Sequence, residues 1–198
     1  MIRILIAEHL PLVRRGLHAT LGAEPDLRVV AEAVRAEEVV RAALSSEADV
    51  AVVDLDLPGP AVTGDLAEHV PRCGVLILSA APNPGQVREA LAGPALGFMS
   101  LCVPPERLAE GVRQVAAGRQ AIEAELAVAA LQCASNPLTR RELDVLRIAA
   151  GGARSTEIAD ELFLSVGTVR NHLSRIMCKT GARNRLDAVR IASDCGWL

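Results

Sequence analysis

Tyrosine is absent from these 198 residues, tryptophan occurs once and phenylalanine twice. Aromatic rings therefore cannot fill the interior, which must be built from Ala, Val, Leu and Ile. Lysine is almost missing too: Lys179 stands alone, and the other 20 of the 21 basic residues are arginines. The five cysteines, at 73, 102, 133, 178 and 195, show no C-x-x-C spacing and an odd count. They read as reduced thiols of a cytoplasmic protein, mostly small core residues. The longest uncharged run, Ala90 to Pro105, is broken by Gly and Pro and is too short for a bilayer span. MIRILIAEHL carries charge inside its apolar run, so no secretory leader is expected, only a soluble chain with no membrane partner. A glycine-rich phosphate loop and a nucleophile–base pair are both missing, which argues against an enzyme.

What is present divides in two. The length is comfortable for two domains of about 100–150 residues. From Pro137 to Leu198 there are 10 basic and 7 acidic residues, or +3; the first 136 residues hold 11 basic against 17 acidic, or −6. An acidic front and a basic tail suggest two modules, the second facing a polyanion.

In the front module, short β-branched runs at Ile2–Ala7, Leu27–Ala31, Val50–Asp54, Val75–Ser79 and Gly97–Met99 read as strands. Helical patterns at Leu10–Leu21, Glu37–Leu44, Gly64–Val70, Gln86–Leu91 and Pro105–Ala117 alternate with them. Five such alternations predict a doubly wound α/β fold around a five-stranded parallel sheet, with function at the C-terminal strand ends. Those ends carry Glu8 and His9, then Asp54, then Ser79.

The pieces ILIAEH, VVDLDLPG, LILS and GFMSLCVPPERL resemble the receiver domain of bacterial response regulators. The resemblance implies a flavodoxin-like fold over residues 1–118. It assigns the phosphoacceptor position to Asp54, and Mg²⁺ support to Glu8 with the backbone carbonyl of Asp56. It matches Ser79 to the hydroxyl that follows the phosphate and Phe98 to the aromatic switch. Two positions depart from the pattern. The second acid is His9, and the phosphate-pairing lysine falls on Leu101, with no lysine in the first 136 residues. Mg²⁺ favours oxygen ligands in a strict octahedron, so any site of Glu8, Asp54 and Asp56 is degenerate. Phosphoryl transfer depends on positioned charge, so both losses weaken the same reaction. The expectation is a receiver not switched by ordinary phosphorylation; the alternative is a histidine kinase acting on Asp54.

Residues 119–136 read as a linker with an Ala-rich helix, Ala124–Ala134. A new start follows, a capping box of Thr139 and Glu142, leading to Gly151–Gly152. Ser155 or Thr156 is expected to cap the next helix, Phe163–Leu164 to turn, and Ser165 to open a helix to Thr180. Val169, Leu173, Ile176 and Thr180 form one stripe of that helix. A last helix runs from about Arg185 to Ser193. The motifs PLTRRELDVLRIAAGG and STEIADELFLSVGTVRNHLSRIMCKTGARNRLDAV in residues 137–198 resemble the LuxR-type DNA-binding domain. With the receiver, nearly the whole chain resembles a NarL/FixJ-family response regulator. That resemblance implies an all-α four-helix domain whose helix-turn-helix enters the major groove of double-stranded DNA. Arg170 and Asn171 are then best placed for base edges, with Ser174 and Arg175 a turn further on. Thr139, Ser155, Thr156, Ser165, Thr168, Lys179 and Arg183 are candidates for phosphate contacts. His172 reads as packed or phosphate-facing. One short helix-turn-helix reads few bases, so a homodimer on paired half-sites is expected, through the last helix or Pro105–Ala117.

Overall fold

The computed structural model describes residues 1–132 and 136–198, without the side chains of Leu91, Ala129, Leu131 and Gln132. The chain forms two compact units: Met1–Pro82 with Val87–Ala127, and Asn83–Gln86 with Val128–Leu198.

The first unit is built on strands β1 (Ile2–Ala7), β2 (Leu27–Ala33), β3 (Val50–Asp54), β4 (Gly74–Ser79), β5 (Gly97–Ser100) and β6 (Ala121–Ile122). All pair in parallel, in the order β2-β1-β3-β4-β5-β6. The intervening helices are α1 (Pro11–Gly22), α2 (Ala36–Ser46), α3 (Thr63–His69), α4 (Pro84–Ala92) and α5 (Pro105–Ala116). Every residue of β3 is buried. That is why this strand reads as a continuous apolar run and not an alternating one: helices cover both faces of a parallel sheet. The interior is aliphatic as its composition demands, with Ile4, Ile6, Leu21, Val52, Leu76 and Val112 among its buried residues.

The sheet has one strand more than the five expected. Ala121 and Ile122 pair with Gly97 and Phe98. Two residues flanked by Gln120 and Glu123 make no apolar run, so only the exposed edge of β5 reveals them. Glu123 extends the pairing, its Oε1 accepting from the Ser100 N–H at 2.7 Å. On the opposite side, Arg113 of α5 donates to Asp26 and Glu24 at 2.6–2.8 Å. This contact holds the Asp26 carboxyl at about 2.

α6 (Ala124–Gln132) follows; the expected end of that helix, with Cys133, Ala134 and Ser135, lies outside the described residues. The second unit contains α7 (Arg140–Ala150), α8 (Ser155–Leu162), α9 (Val166–Thr180) and α10 (Arg185–Asp194). Val145, Leu146, Ile158, Val169, Ile176 and Trp197 meet in its core. α7 starts on the expected capping box of Thr139 and Glu142. α9 starts on Ser165, whose Oγ accepts the Thr168 N–H at 3.0 Å. The cap of α8 differs from expectation: it is Arg154, and Ser155 is the first helical residue. Glu157, at the third helical position, reaches back instead, its carboxylate accepting the Arg154 N–H at 2.6 Å.

Cys73, Cys102 and Cys178 are free thiols, whereas Cys195 is disulfide-bonded. This corrects the reading of all five as reduced, because thiol pairing follows from proximity in space, which spacing along the chain does not reveal. Among the described residues no helix is long and apolar enough to cross a membrane.

Candidate functional sites

The strand order changes direction between β1 and β3, and a crevice outside the strand ends belongs at such a switch point. Glu8 and His9 leave β1 there, and Asp54 ends β3. Glu8 is 1 % exposed and Asp54 8 %. His9 Nδ1 lies 3.0 Å from Asp54 Oδ2 and 3.4 Å from Glu8 Oε1. The imidazole and the Asp54 carboxylate are hydrogen-bonded through these two atoms. The Leu10 N–H holds Glu8 Oε1 at 2.7 Å, and the Asp56 N–H reaches Asp54 Oδ1 at 3.2 Å. Burial pushes the Glu8 carboxyl up, opposed by the Leu10 N–H and reinforced by the neighbouring charge of Asp54. Arg14, absent from the sequence-derived candidates, donates to the Glu8 carbonyl at 2.8 Å and to Glu32 at 2.9 Å. No motif signals it; the first turn of α1 brings it under the edge.

The remaining candidates spread outward from this cluster. The side chain of Asp56 is exposed. Ser79 is buried at the tip of β4, and Phe98 is wholly enclosed within β5. The Leu101 N–H donates to the Ser79 carbonyl at 2.9 Å. Its side chain lines a cavity of about 340 Å³ with Val13, Leu17, Val103 and Leu108, an apolar wall where the resemblance places a cation. Tested against Mg²⁺, this donor set does not fit. A nitrogen stands among the carboxylate oxygens, whereas Mg²⁺ demands near-ideal oxygen coordination.

In the second unit, Val169, Leu173 and Ile176 bury one stripe of α9. Arg170, Asn171, Ser174 and Arg175 are exposed on the other side. Among the described residues neither Arg170 nor Arg175 meets a carboxylate. The hydroxyls of Ser165 and Thr168 join at 2.8 Å. Ser155 is half-buried and Thr156 exposed. Arg183 reaches Asp187 at 3.4 Å. Lys179 is already engaged: its Nζ lies 2.7 Å from Glu142 Oε2, which also accepts from the N–H and hydroxyl of Thr139. Glu142 is 3 % exposed. The capping box flags this acid, but its ion pair spans 37 residues and has no sequence signal. His172 buries its Nδ1 without a hydrogen-bond partner among the described residues.

A parallel α/β unit with an acidic strand tip, followed by a capped helix-turn-helix with a basic exposed face, defines a DNA-binding transcriptional response regulator. Residues 4–113 match the response regulator receiver domain, and residues 136–192 match the bacterial regulatory proteins of the luxR family. The chain belongs to the response regulators that join these two domains. It is 41% identical to the response regulator RamR of Streptomyces coelicolor over 202 residues, covering 100% of this chain and 98% of the relative. It is 34% identical to the transcriptional regulatory protein DesR of Bacillus subtilis over 201 residues, covering 100% of both. Among solved structures it resembles the response regulator ChrA of a heme-sensing two-component system, with 30% identity and a TM-score of 0.61 over 100% of this chain and 98% of that one. RcsB of Salmonella typhimurium shares the fold at 22% identity and a TM-score of 0.72, over 98% and 100% of the two chains.

Proposed function

We propose that this regulator reads paired DNA half-sites as a homodimer through α9, and that its receiver edge responds to an input other than Mg²⁺-dependent phosphorylation of Asp54. Arg170 and Asn171 occupy the first turns of a helix whose opposite stripe is locked in the core. That is the placement from which Arg reads guanine and Asn reads adenine in the major groove. Ser155, Thr156, Ser165, Thr168 and Arg183 flank it for the phosphates, with Thr139 at the start of α7. RcsB, whose fold the chain shares, has been solved in complex with DNA. On α10, Ala188 and Ala192 are buried, while Leu186 is 79 % exposed. Buried residues cover the inner face of α5, and the side chains of Glu106, Arg107 and Glu110 are exposed. Of these two helices, α10 is therefore the one that offers an exposed large apolar side chain to a partner copy.

The observation that carries the reading of control is the 3.0 Å contact between His9 Nδ1 and Asp54 Oδ2. It engages a phosphoacceptor oxygen with an imidazole at the place where a cation would have to bind, and Leu101 supplies no charge to offset a phosphoryl dianion. The conventional reading, phosphorylation of Asp54 by a histidine kinase, draws its support from Asp54 at the tip of β3 and buried Ser79 at the tip of β4. Incubation with Mg²⁺ and a small phosphodonor, followed by intact mass, separates the two. The expected result is an unmodified chain, with uptake appearing once His9→Asp and Leu101→Lys are combined. One phosphate on Asp54 of the unaltered protein overturns the reading.

A further inference from the structure

The edge that fails Mg²⁺ has the donors of another class of cation. Glu8 Oε1, His9 Nδ1 and Asp54 Oδ2 converge, with all ligand atoms within 4.8 Å of one another. The nitrogen stands 3.0 and 3.4 Å from the two oxygens. Donors bound to one tetrahedral or octahedral ion at about 2.0–2.2 Å are themselves separated by roughly 3.0–3.5 Å. Two of the three donor separations thus already match the spacing of a coordination face, and the third is within 4.8 Å. The backbone orients two of them: the Leu10 N–H fixes Glu8 Oε1, and the Asp56 N–H takes Asp54 Oδ1, turning Oδ2 toward His9. Such outer contacts aim ligands before an ion arrives. The His9 side chain is 32 % exposed, so the fourth side opens to water.

We propose that Glu8, His9 and Asp54 bind a divalent first-row transition ion of the Zn²⁺ type in preference to Mg²⁺. Binding replaces the His9–Asp54 hydrogen bond: the neutral imidazole carries its proton on Nε2, and Nδ1 donates its lone pair to the ion. Imidazole suits Zn²⁺ and its neighbours, whereas Mg²⁺ selects oxygen and sheds water reluctantly. Two carboxylates offset the ion's charge, and the open side leaves a water or one further ligand. The inference rests on the reading that His9 has removed this edge from Mg²⁺ chemistry.

The test is a chelator-competition titration of the full chain with Zn²⁺ in excess Mg²⁺. It uses a Cys102→Ser, Cys178→Ser background that removes the exposed thiols. Bound Zn²⁺ is expected to resist Mg²⁺. Glu8→Gln and His9→Asp are each expected to weaken Zn²⁺ by tenfold or more, and His9→Asp to let Mg²⁺ compete. Co²⁺ supplies a second readout: visible bands without thiolate charge transfer, altered by His9→Asp in a chain whose circular dichroism is unchanged. Equal Zn²⁺ affinity in parent, Glu8→Gln and His9→Asp chains, or displacement of Zn²⁺ by Mg²⁺ from the parent, overturns the proposal. The phosphodonor result is separate. Phosphate on Asp54 refutes the reading of control, and Zn²⁺ indifferent to His9 refutes this site alone.

Discussion

Glu142 holds a negative charge at 3 % exposure, which is tolerable only because its partners are complete. Burial raises its carboxyl, but Lys179 and Thr139 outweigh burial and leave it below the usual carboxylate range. Asp187 is held at about 2, chiefly by the backbone N–H of Arg183 and then by Arg190. Both carboxyls are depressed on folding, so the stability they add is complete above their unfolded values. It is lost as the pH falls through the folded ones. The second unit is therefore expected to loosen below about pH 4.5, the ordinary value for glutamate. The fluorescence of Trp197, the sole tryptophan, follows it. Lys179→Met leaves the buried carboxylate unpaired and is expected to cost roughly 1–3 kcal/mol. Because Lys179 is spent on Glu142, the same change should leave the salt slope of DNA binding unaltered. A lost phosphate contact would reduce that slope by about 0.9. Arg170→Ala differs in kind. It is expected to lose about 1–3 kcal/mol on the cognate site and relax specificity at one position. A loss equal on all sequences would show that Arg170 does not read a base.

At the scale of elements, the turn between α8 and α9 sets how the recognition helix is presented. Phe163 closes α8 in the left-handed region, at φ 54°, and is 96 % exposed. A non-glycine residue there carries a strain of about 1–2 kcal/mol, and the ring is too exposed among the described residues for packing to offset it. Phe163→Gly is expected to leave thermal stability unchanged or raised. If the denaturation midpoint of the variant falls by several degrees, the ring has a stabilising contact in the free protein. Gly181 ends α9 in the same backbone region, at φ 68°, and there the sequence supplies the residue that bears it without cost.

For the whole molecule, charge is divided along with the cores. The −6 front and +3 tail place attraction for DNA on the unit that contains α9. A dimer on two half-sites gains from doubling that contact. Leu186→Asp, on the outer side of α10, is expected to abolish cooperative occupation of paired half-sites. It should leave the affinity for a single half-site within about threefold, since surface changes usually cost under about 0.5 kcal/mol. Gel shifts on one-site and two-site probes measure both. Unchanged cooperativity would move the dimer contact away from α10.

The sequence by itself determined the alternation of strands and helices, the capping box of α7, the Ser165 start of α9 and its buried stripe. Each of these is local: periodicity and caps are written within one or two turns of chain. It also determined the chemistry of the strand tips, because Glu8, His9 and Asp54 sit where apolar runs end. Tertiary structure decided what those residues touch. It added β6, whose two residues have no signal apart from the edge of β5. It moved the cap of α8 to Arg154, and tied Lys179 to Glu142 across 37 residues. It also turned His9 onto Asp54 across 45 residues. Contacts of that kind depend on which side chains folding brings within hydrogen-bond distance, and no pattern along the chain encodes that distance.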